Sequence, residues 1–525
     1  MMPRLGHGTA ITLEELREAR NAFVGPTRDL RLGFAAVRPV DLQDFDFLFP
    51  DLQNDLANLL PVAPQTVNNL TRLGRTMLID PLVPSNGDAN IPAAYTYLGQ
   101  FVDHDITLET VSASLPALLD PNLTPLALND IRATIRNLRN PTLDLDSVYG
   151  LPAPRDPARP AKMQVGLVTA LGQNQKPALR PPNKGDDNDL PREGRSSVDT
   201  HDRAALIGDP RNDENTIVAQ LHVAFLKAHN ALVDQGRNFR QAQRLLRQHY
   251  QHIVIHDFLK KRIADPQIVD RILQHGNRVY DALAEPFFLP LEYAVAAYRF
   301  GHSMVRPSYR ANLKGDNGNP YFAMIFDPAG EGQADPVDLR GGARAPRRFI
   351  GWQTFFNFGD GNVKPNKLID TRISTPLFDI PLGAIASHDR PQVLPQRNLL
   401  RQLTWSLPSG QRIAKAMRVP ALSEEELGTD LDAYRSARHG YDLKTSTPLW
   451  FYVLREAEVK AGGETLGPVG GRIVAEVLVG LINSDPGSYL VQQPRWTPTL
   501  TSAGAGFRMT DFLTFAGVDP ASRGQ

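Results

Sequence analysis

Apolar positions recur at three- and four-residue steps over several stretches, and the pattern predicts helices. In Thr216 to Gln235, the positions Val218, Leu221, His222, Phe225 and Leu232 follow these steps. Phe239 to Ile263 continues with Leu245, Leu246, Ile253, Ile255 and Leu259. Leu291 to Val305 reads as a third helix, stopped by Pro307, whose ring removes a backbone donor and clashes with the turn before it. Glu424 to Ala437 and Gly471 to Ile482 carry helical patterns too, while strict strand-like alternation is scarce. Between them, Leu171 to Asp202 is polar, proline-broken and nearly without large apolar residues, which predicts a long surface excursion. Lys314 to Arg348 is a second such stretch. The expectation is a mainly α chain with long irregular loops, no internal repeat and no convincing domain break. Loops of that length in a helical protein suggest that a large buried prosthetic group organises the centre.

Composition narrows the chemistry. Of 525 residues, 42% are hydrophobic and 22% charged, the balance of a folded protein rather than a disordered one. Fifty-seven Lys and Arg against fifty-seven Asp and Glu leave no overall field to draw nucleic acid or an anionic membrane. The absence of cysteine excludes disulfides, thiolate metal sites, iron–sulfur clusters and a Cys nucleophile, so any metal is held by His or oxygen. The longest aliphatic run, Ile473 to Ile482, is interrupted by Glu476 and is about half a membrane span. The first residues lack the apolar stretch of a signal peptide. The chain reads as soluble, either cytoplasmic or exported by a signal-independent route.

Among the twelve histidines, most read as core, capping or solvated residues. These are His222 and His229 on one apolar helix, His249, His252 and His256 on another, and His7, His201, His275, His388 and His439 in loop-like contexts. Two stand apart. His104 follows Gln100 and Asp103 and precedes Asp105, polar residues that interrupt an apolar segment beginning at Tyr95. A solvated turn would explain that group equally well. His302 lies in an apolar stretch beside Gly301, whose missing side chain leaves room for a flat ligand, although a satisfied core histidine is the plainer reading. In Gly208 to Asn215, Asp209 and Pro210 form a helix-start pattern that places Arg211 and Glu214 on one face of the first turn. A simple cap with solvated charges is the alternative. In Asn140 to Gly150, alternating Asp144 and Asp146 put two carboxylates on one side of an extended chain, which suits Ca²⁺ but also any exposed strand.

Taken together, these four clusters resemble the animal-type haem peroxidases, the peroxidase–cyclooxygenase superfamily to which myeloperoxidase and lactoperoxidase belong. The resemblance runs in order from Tyr95 to Ala416. Gly99-Gln-Phe-Val-Asp-His-Asp105 is similar to the family's distal-histidine motif, and Thr142-Leu-Asp-Leu-Asp-Ser-Val-Tyr-Gly150 to its calcium loop. Arg211-Asn-Asp-Glu214 resembles the catalytic-arginine segment, and Arg299-Phe-Gly-His302 the proximal-histidine motif. Asn398-Leu-Leu-Arg401 resembles the segment beneath the haem, although the Arg-Asp-His-Gly of many members is absent from Gln402 to Ser406.

The resemblance implies a single large helical haem-peroxidase domain over residues 71–525, with residues 1–70 as an extension packed on it. It implies haem b held by His302 as axial ligand, with Asn398 accepting the other ring N–H. His104 would be the acid–base group for H₂O₂, Arg211 would stabilise charge as the O–O bond breaks, and Gln100 would order water or a small anion. Arg299 and Arg401 would contact the haem edge or propionates. Asp103 and Glu214 occupy the positions of haem-ester links, and Asp105, Thr142, Asp144 and Asp146 those of Ca²⁺ ligands. Asn215 stands where myeloperoxidase carries the methionine of its sulfonium link, so that link is expected to be absent and bromide, iodide, thiocyanate or phenolic donors are favoured over chloride. The expected activity is H₂O₂-dependent oxidation of such donors, with a part in the response to oxidative stress. The alternatives are a fatty-acid dioxygenase of the same superfamily and a haem- or calcium-binding adhesion protein with little turnover. Against the dioxygenase, that branch places its radical-forming Tyr three residues before the proximal His, where this chain has Arg299; Tyr298 lies one residue further away, and a helix step of about 100° would point it to a different side from that position.

Overall fold

The computed structural model describes residues 43–79, 87–108, 118, 120, 125–126, 129–131, 135–137, 139–150, 153–168, 188–192, 205–283, 287–330, 333, 335–342, 344, 347–381, 390–436, 441–493 and 495–520. Most of the polar stretch 171–202 lies outside these, as do His7, His201, His388 and His439.

Helices carry most of the regular structure: α1 (Pro64–Thr76), α2 (Ala94–Ile106), α3 (Thr216–Asp234), α4 (Phe239–Ile253), α5 (Pro266–His275), α6 (Leu394–Thr404), α7 (Leu449–Ala461) and α8 (Pro468–Ser484). The strands are short. β1 (Gln43–Asp46) pairs antiparallel with β2 (Arg136–Asn137) and parallel with β3 (Phe288–Pro290). β4 (Tyr309–Asp316) and β5 (Asn319–Ala323) form a hairpin inside the stretch expected to be irregular from Lys314 onward. Its turn is Asn317-Gly318 with both residues at positive φ, the geometry that suits tightly twisted hairpins. No helix among the described residues is long and apolar enough to cross a membrane.

α3 follows its periodicity, and Asn215 caps it, its side-chain oxygen accepting from the backbone N–H groups of Ile217 and Val218. Phe225, fully buried, stacks on Phe101 of α2 with ring centroids 4.8 Å apart, which sets α2 and α3 against each other. α8 is apolar on nearly every side because it is buried nearly all round and packs on α5 and α7. α1 packs on α6 with the chains so close that a Cβ at Gly74 would lie 2.8 Å from Gln396. Residue 70 therefore falls inside a helix that belongs to the core, and β1 shares a sheet with β3. A buried carboxylate reinforces that link: Glu292 accepts from the backbone N–H groups of Leu48 (2.8 Å) and Phe49 (3.2 Å).

Three expected helices come out differently. Phe239 to Ile263 is α-helical only to Ile253, then widens into a π-helical segment, Val254–Ile263. Of Glu424 to Ala437, the described residues up to Ser436 form turns, a 3₁₀ turn at Asp432–Tyr434 and a two-residue strand, Arg435–Ser436, with Gly428 at φ +73° interrupting any helix. Leu291 to Val305 is broken into a turn at Leu291–Ala294, a 3₁₀ turn at Ala297–Phe300 and a short helix at Gly301–Met304. Ala296, at φ −135° and ψ −72°, makes the break.

Candidate functional site

The broken segment 291–304 forms one wall of a cavity. Tyr298, Arg299, Phe300, Gly301, His302, Met304 and Val305 line it from this side. α2 contributes Gly99, Gln100 and Asp103, and the start of α3 contributes Glu214 and Asn215. Ile325, Phe326, Leu377, Ile380 and Leu394 complete an apolar rim.

His302 is held from behind. Its Nδ1 lies 2.7 Å from the side-chain amide of Asn398, on α6. An Asn amide can turn end for end at little cost, so the same contact serves either as an N–H donated to Nδ1 or as an oxygen accepting from it. Burial, then the positive charges of Arg299 and Arg401, hold the imidazole down to about 3, well below its usual 6.5, so it is neutral. The 3₁₀ turn that presents it is fixed by Trp450, whose indole N–H donates to the Arg299 carbonyl at 3.1 Å. A Cβ built on Gly301 meets nothing within 4 Å, so this glycine opens onto space.

These features fit a haem. A neutral imidazole with an anchored second nitrogen, beside an apolar slot and two arginine charges, is the donor set an iron porphyrin takes.

Tyr298 does not point to a different side: four residues before His302, about 40° round a helix, its ring lines the same cavity. Its hydroxyl donates to the Gly99 carbonyl (3.2 Å), and its ring stacks on Tyr293 at 4.8 Å.

On the α2 side, Gln100 is held at both ends of its amide. Its Nε2 donates to Glu214 Oε2 (3.2 Å), and its Oε1 accepts from Asn215 Nδ2 (3.1 Å). Asn215 thus divides its side chain between capping α3 and orienting Gln100. Glu214 is pushed up to about 8, first by burial and then by the nearby Asp209 and Asp103 charges against the pull of Arg211. It is protonated for the most part at neutral pH.

His104 is one turn beyond Gln100 on α2 and has no exposed surface. Its Nδ1 lies 2.9 Å from Asn212 Oδ1, and the Asn212 Nδ2 lies 3.1 Å from Nδ1 of His222. Burial, then the Arg211 charge, lower His104 to about 3, so its ring too is neutral. Asp209 caps a single 3₁₀ turn, Pro210–Asp213, rather than the long helix, which starts afresh at Asn215. Arg211 and Glu214 therefore do not share a helical face. Glu214 lines the cavity, while the Arg211 guanidinium pairs with Asp209 (Nη2 to Oδ2, 2.7 Å) and donates to the carbonyls of His104 (3.1 Å) and Thr107. Neither His104 nor Arg211 is among the residues lining the cavity.

The stretch around Asp144 is not extended. Leu143 and Leu145 take positive φ (53° and 62°), and Asp146 opens a one-turn helix. Asp105 accepts from Ser147 (N–H at 3.1 Å, Oγ at 2.8 Å) and from the Leu145 N–H. Asp144 accepts from Asn140 Nδ2 (2.7 Å), and Arg139 lies 3.5 Å from Asp146. The Thr142 carbonyl faces Gln251 Nε2 at 3.4 Å. Among the described residues no group of three or more His, Asp or Glu side chains is arranged to hold a metal. The oxygen chemistry suits calcium; the arrangement does not make a ready cage for it.

The sequence reading passed over Asn212 and Trp450, and gave Asn215 no part beyond the absent sulfonium link. Asn212 sat in plain view between Arg211 and Glu214, but its partners lie 108 and ten residues away.

Residues 132–327 match the family described as animal haem peroxidase. A peroxidase-like protein of Margaritifera margaritifera is 28% identical over 253 residues, 40% of this chain and 31% of that protein. Heme peroxidase 2 of Caenorhabditis elegans is 26% identical over 258 residues, 40% of this chain and 34% of that protein. The matched region thus spans about a third of the length of these two relatives. Peroxidase A from Dictyostelium discoideum has the same fold, with a TM-score of 0.54 at 16% identity, covering 83% of this chain and 86% of that one.

Proposed function

Because the chain belongs to the animal haem peroxidase family, we propose that it is a haem-dependent peroxidase. It reduces H₂O₂ and oxidises small donors such as bromide, iodide, thiocyanate or phenols. The observation that carries this reading is the cavity itself: His302, tied to Asn398, shares it with Gln100, Asp103 and Glu214. When bound, haem supplies the iron at which peroxide is reduced.

The protein's part is to hold and to move protons. His302 offers a neutral nitrogen to the iron while Asn398 fixes its ring. His104, neutral at working pH, would be the group that moves a proton to and from the substrate, a role worth about 10²–10⁴-fold in general. Arg211 acts on His104 through its charge and anchors the C-terminal turn of α2, a shift from direct stabilisation of the peroxide oxygens. Gln100, fixed at both amide ends, orders water or an anion in the cavity. Arg299 and Arg401, whose charges act on His302, would meet propionates, and Asp103 and Glu214 are the candidates for ester links to the porphyrin.

Absorption spectra of the haem-supplemented protein, before and after acid and organic-solvent extraction, test this. A Soret band is expected, and one that stays with the polypeptide would support the esters. Absence of the band sinks the reading.

A dioxygenase is the second reading, favoured by Tyr298 lining the cavity. It predicts oxygen uptake with linoleate that Tyr298→Phe abolishes; the peroxidase predicts none. Calcium is proposed at the neighbouring carboxylates Asp105, Asp144 and Asp146, of which Asp146 pairs with Arg139 and Asp144 with Arg247. A chelator should then lower the melting temperature, and an unchanged one removes calcium from the account.

A further inference from the structure

One amide joins two buried imidazoles. Asn212, with no exposed surface, presents Oδ1 to His104 Nδ1 (2.9 Å) and Nδ2 to His222 Nδ1 (3.1 Å). An amide oxygen accepts only and an amide NH₂ donates only. The two rings must therefore carry opposite tautomers. With the amide as it stands, His104 is protonated at Nδ1 and leaves Nε2 as the basic nitrogen, whereas His222 accepts at Nδ1 and is protonated at Nε2.

We propose that Asn212 is a positioning residue that fixes His104 in its Nδ1–H tautomer, with His222 taking the opposite tautomer at the amide's other end. The proposal rests on the reading of His104 as the proton-transferring group. A base with the wrong tautomer has no lone pair where the substrate proton is delivered, and in the serine proteases that error costs about 10⁴-fold.

His222 occupies the amide's other end, so the two rings hold opposite tautomers whichever way the amide stands. Packing limits other escapes: the His222 ring meets the edge or face of Phe101 at 6.4 Å, and Phe101 is itself stacked on Phe225. The sequence Arg211-Asn212-Asp213-Glu214 thus places three different devices in four residues: a charge beside His104, a tautomer clamp, and a carboxyl on the cavity wall.

The test is long-range ¹H–¹⁵N correlation on the as-purified protein labelled with ¹⁵N-histidine, the His104 signals being assigned by their loss in His104→Gln. The wild type should show His104 as Nδ1–H and His222 as Nε2–H. Asn212→Leu should shift His104 toward the Nε2–H form and lower kcat/KM for H₂O₂ at least tenfold. Asn212→Asp, whose carboxylate only accepts, should leave His104 as Nδ1–H but convert His222 to Nδ1–H, and should restore much of the turnover.

A wild-type His104 found as Nε2–H overturns the proposal without any variant, even if every substitution at 212 were to unfold the chain. So does an Asn212→Leu protein whose His104 tautomer is unchanged. A wild type with the expected tautomers but no haem band or peroxide turnover keeps the clamp and removes the peroxidase reading instead, so the two fail separately.

Discussion

Asn398 meets His302 across 2.7 Å, amide to Nδ1, and this contact ties α6 to the turn that presents the imidazole to the cavity. Removing it should free the ring without emptying the core. Asn398→Ala is expected to weaken haem binding about 10–100-fold, the usual cost of losing such a partner. Titration of the haem-free protein with haemin measures it, and an unchanged affinity would mean that the contact does not orient the ligand.

Gly301 gives a cleaner test of where a cofactor lies. Nothing stands within 4 Å of a Cβ at that position, and its φ of −56° is ordinary. Gly301→Ala should leave the haem-free protein as stable as the wild type or slightly more so, because alanine loses less conformational freedom on folding. Haem affinity should nevertheless fall, because the methyl occupies the cavity wall. If affinity and melting temperature both stay the same, the porphyrin does not lie against residue 301.

Tyr298→Phe deletes one buried hydrogen bond, to the Gly99 carbonyl. A loss of about 0.5–1.5 kcal/mol in unfolding free energy is expected. Peroxide-dependent iodide oxidation should barely change. A collapse of that activity would place the hydroxyl in the chemistry, and oxygen uptake with linoleate in the wild type would favour the dioxygenase.

Glu292 makes stability depend on pH in a definite direction. Burial raises it from 4.5 to about 7, against the pull of the Leu48 and Phe49 N–H groups. Between these values the folded state holds a proton that the unfolded chain has released. Stability from this group is therefore fully present below about pH 4.5 and is lost as pH climbs through about 7, with a limiting slope of about 1.4 kcal/mol per unit. Glu292→Gln should flatten that part of the profile in the haem-free protein, and denaturant titrations at pH 5 through 8 check it. A slope identical to wild type would assign the pH dependence elsewhere.

Sequence pattern alone carried some of this and missed the rest for identifiable reasons. α3 was legible because its buried residues repeat at helical spacing and nothing opposes them. α2 was not, because Gln100, Asp103, His104 and Asp105 break its apolar pattern for the sake of the site. The segment 291–305 is largely apolar, and periodicity does not reveal that Ala296 leaves helical geometry and breaks the stretch into short turns. His302 and Asn398 were paired by family resemblance, and they do meet. The Arg211 side chain was expected at the cavity, but Asp209, two residues away, and the carbonyls that end α2 claim it. Partners separated by a hundred residues, such as Asn212 and His104, leave no local trace.

Asn215 carries an evolutionary constraint. One amide starts α3 and steadies Gln100, so a methionine at this position would gain a thioether only by giving up both tasks at once. The lost cap alone costs about 1 kcal/mol. Any residue that replaces Asn215 must leave the helix another way to begin and Gln100 another partner.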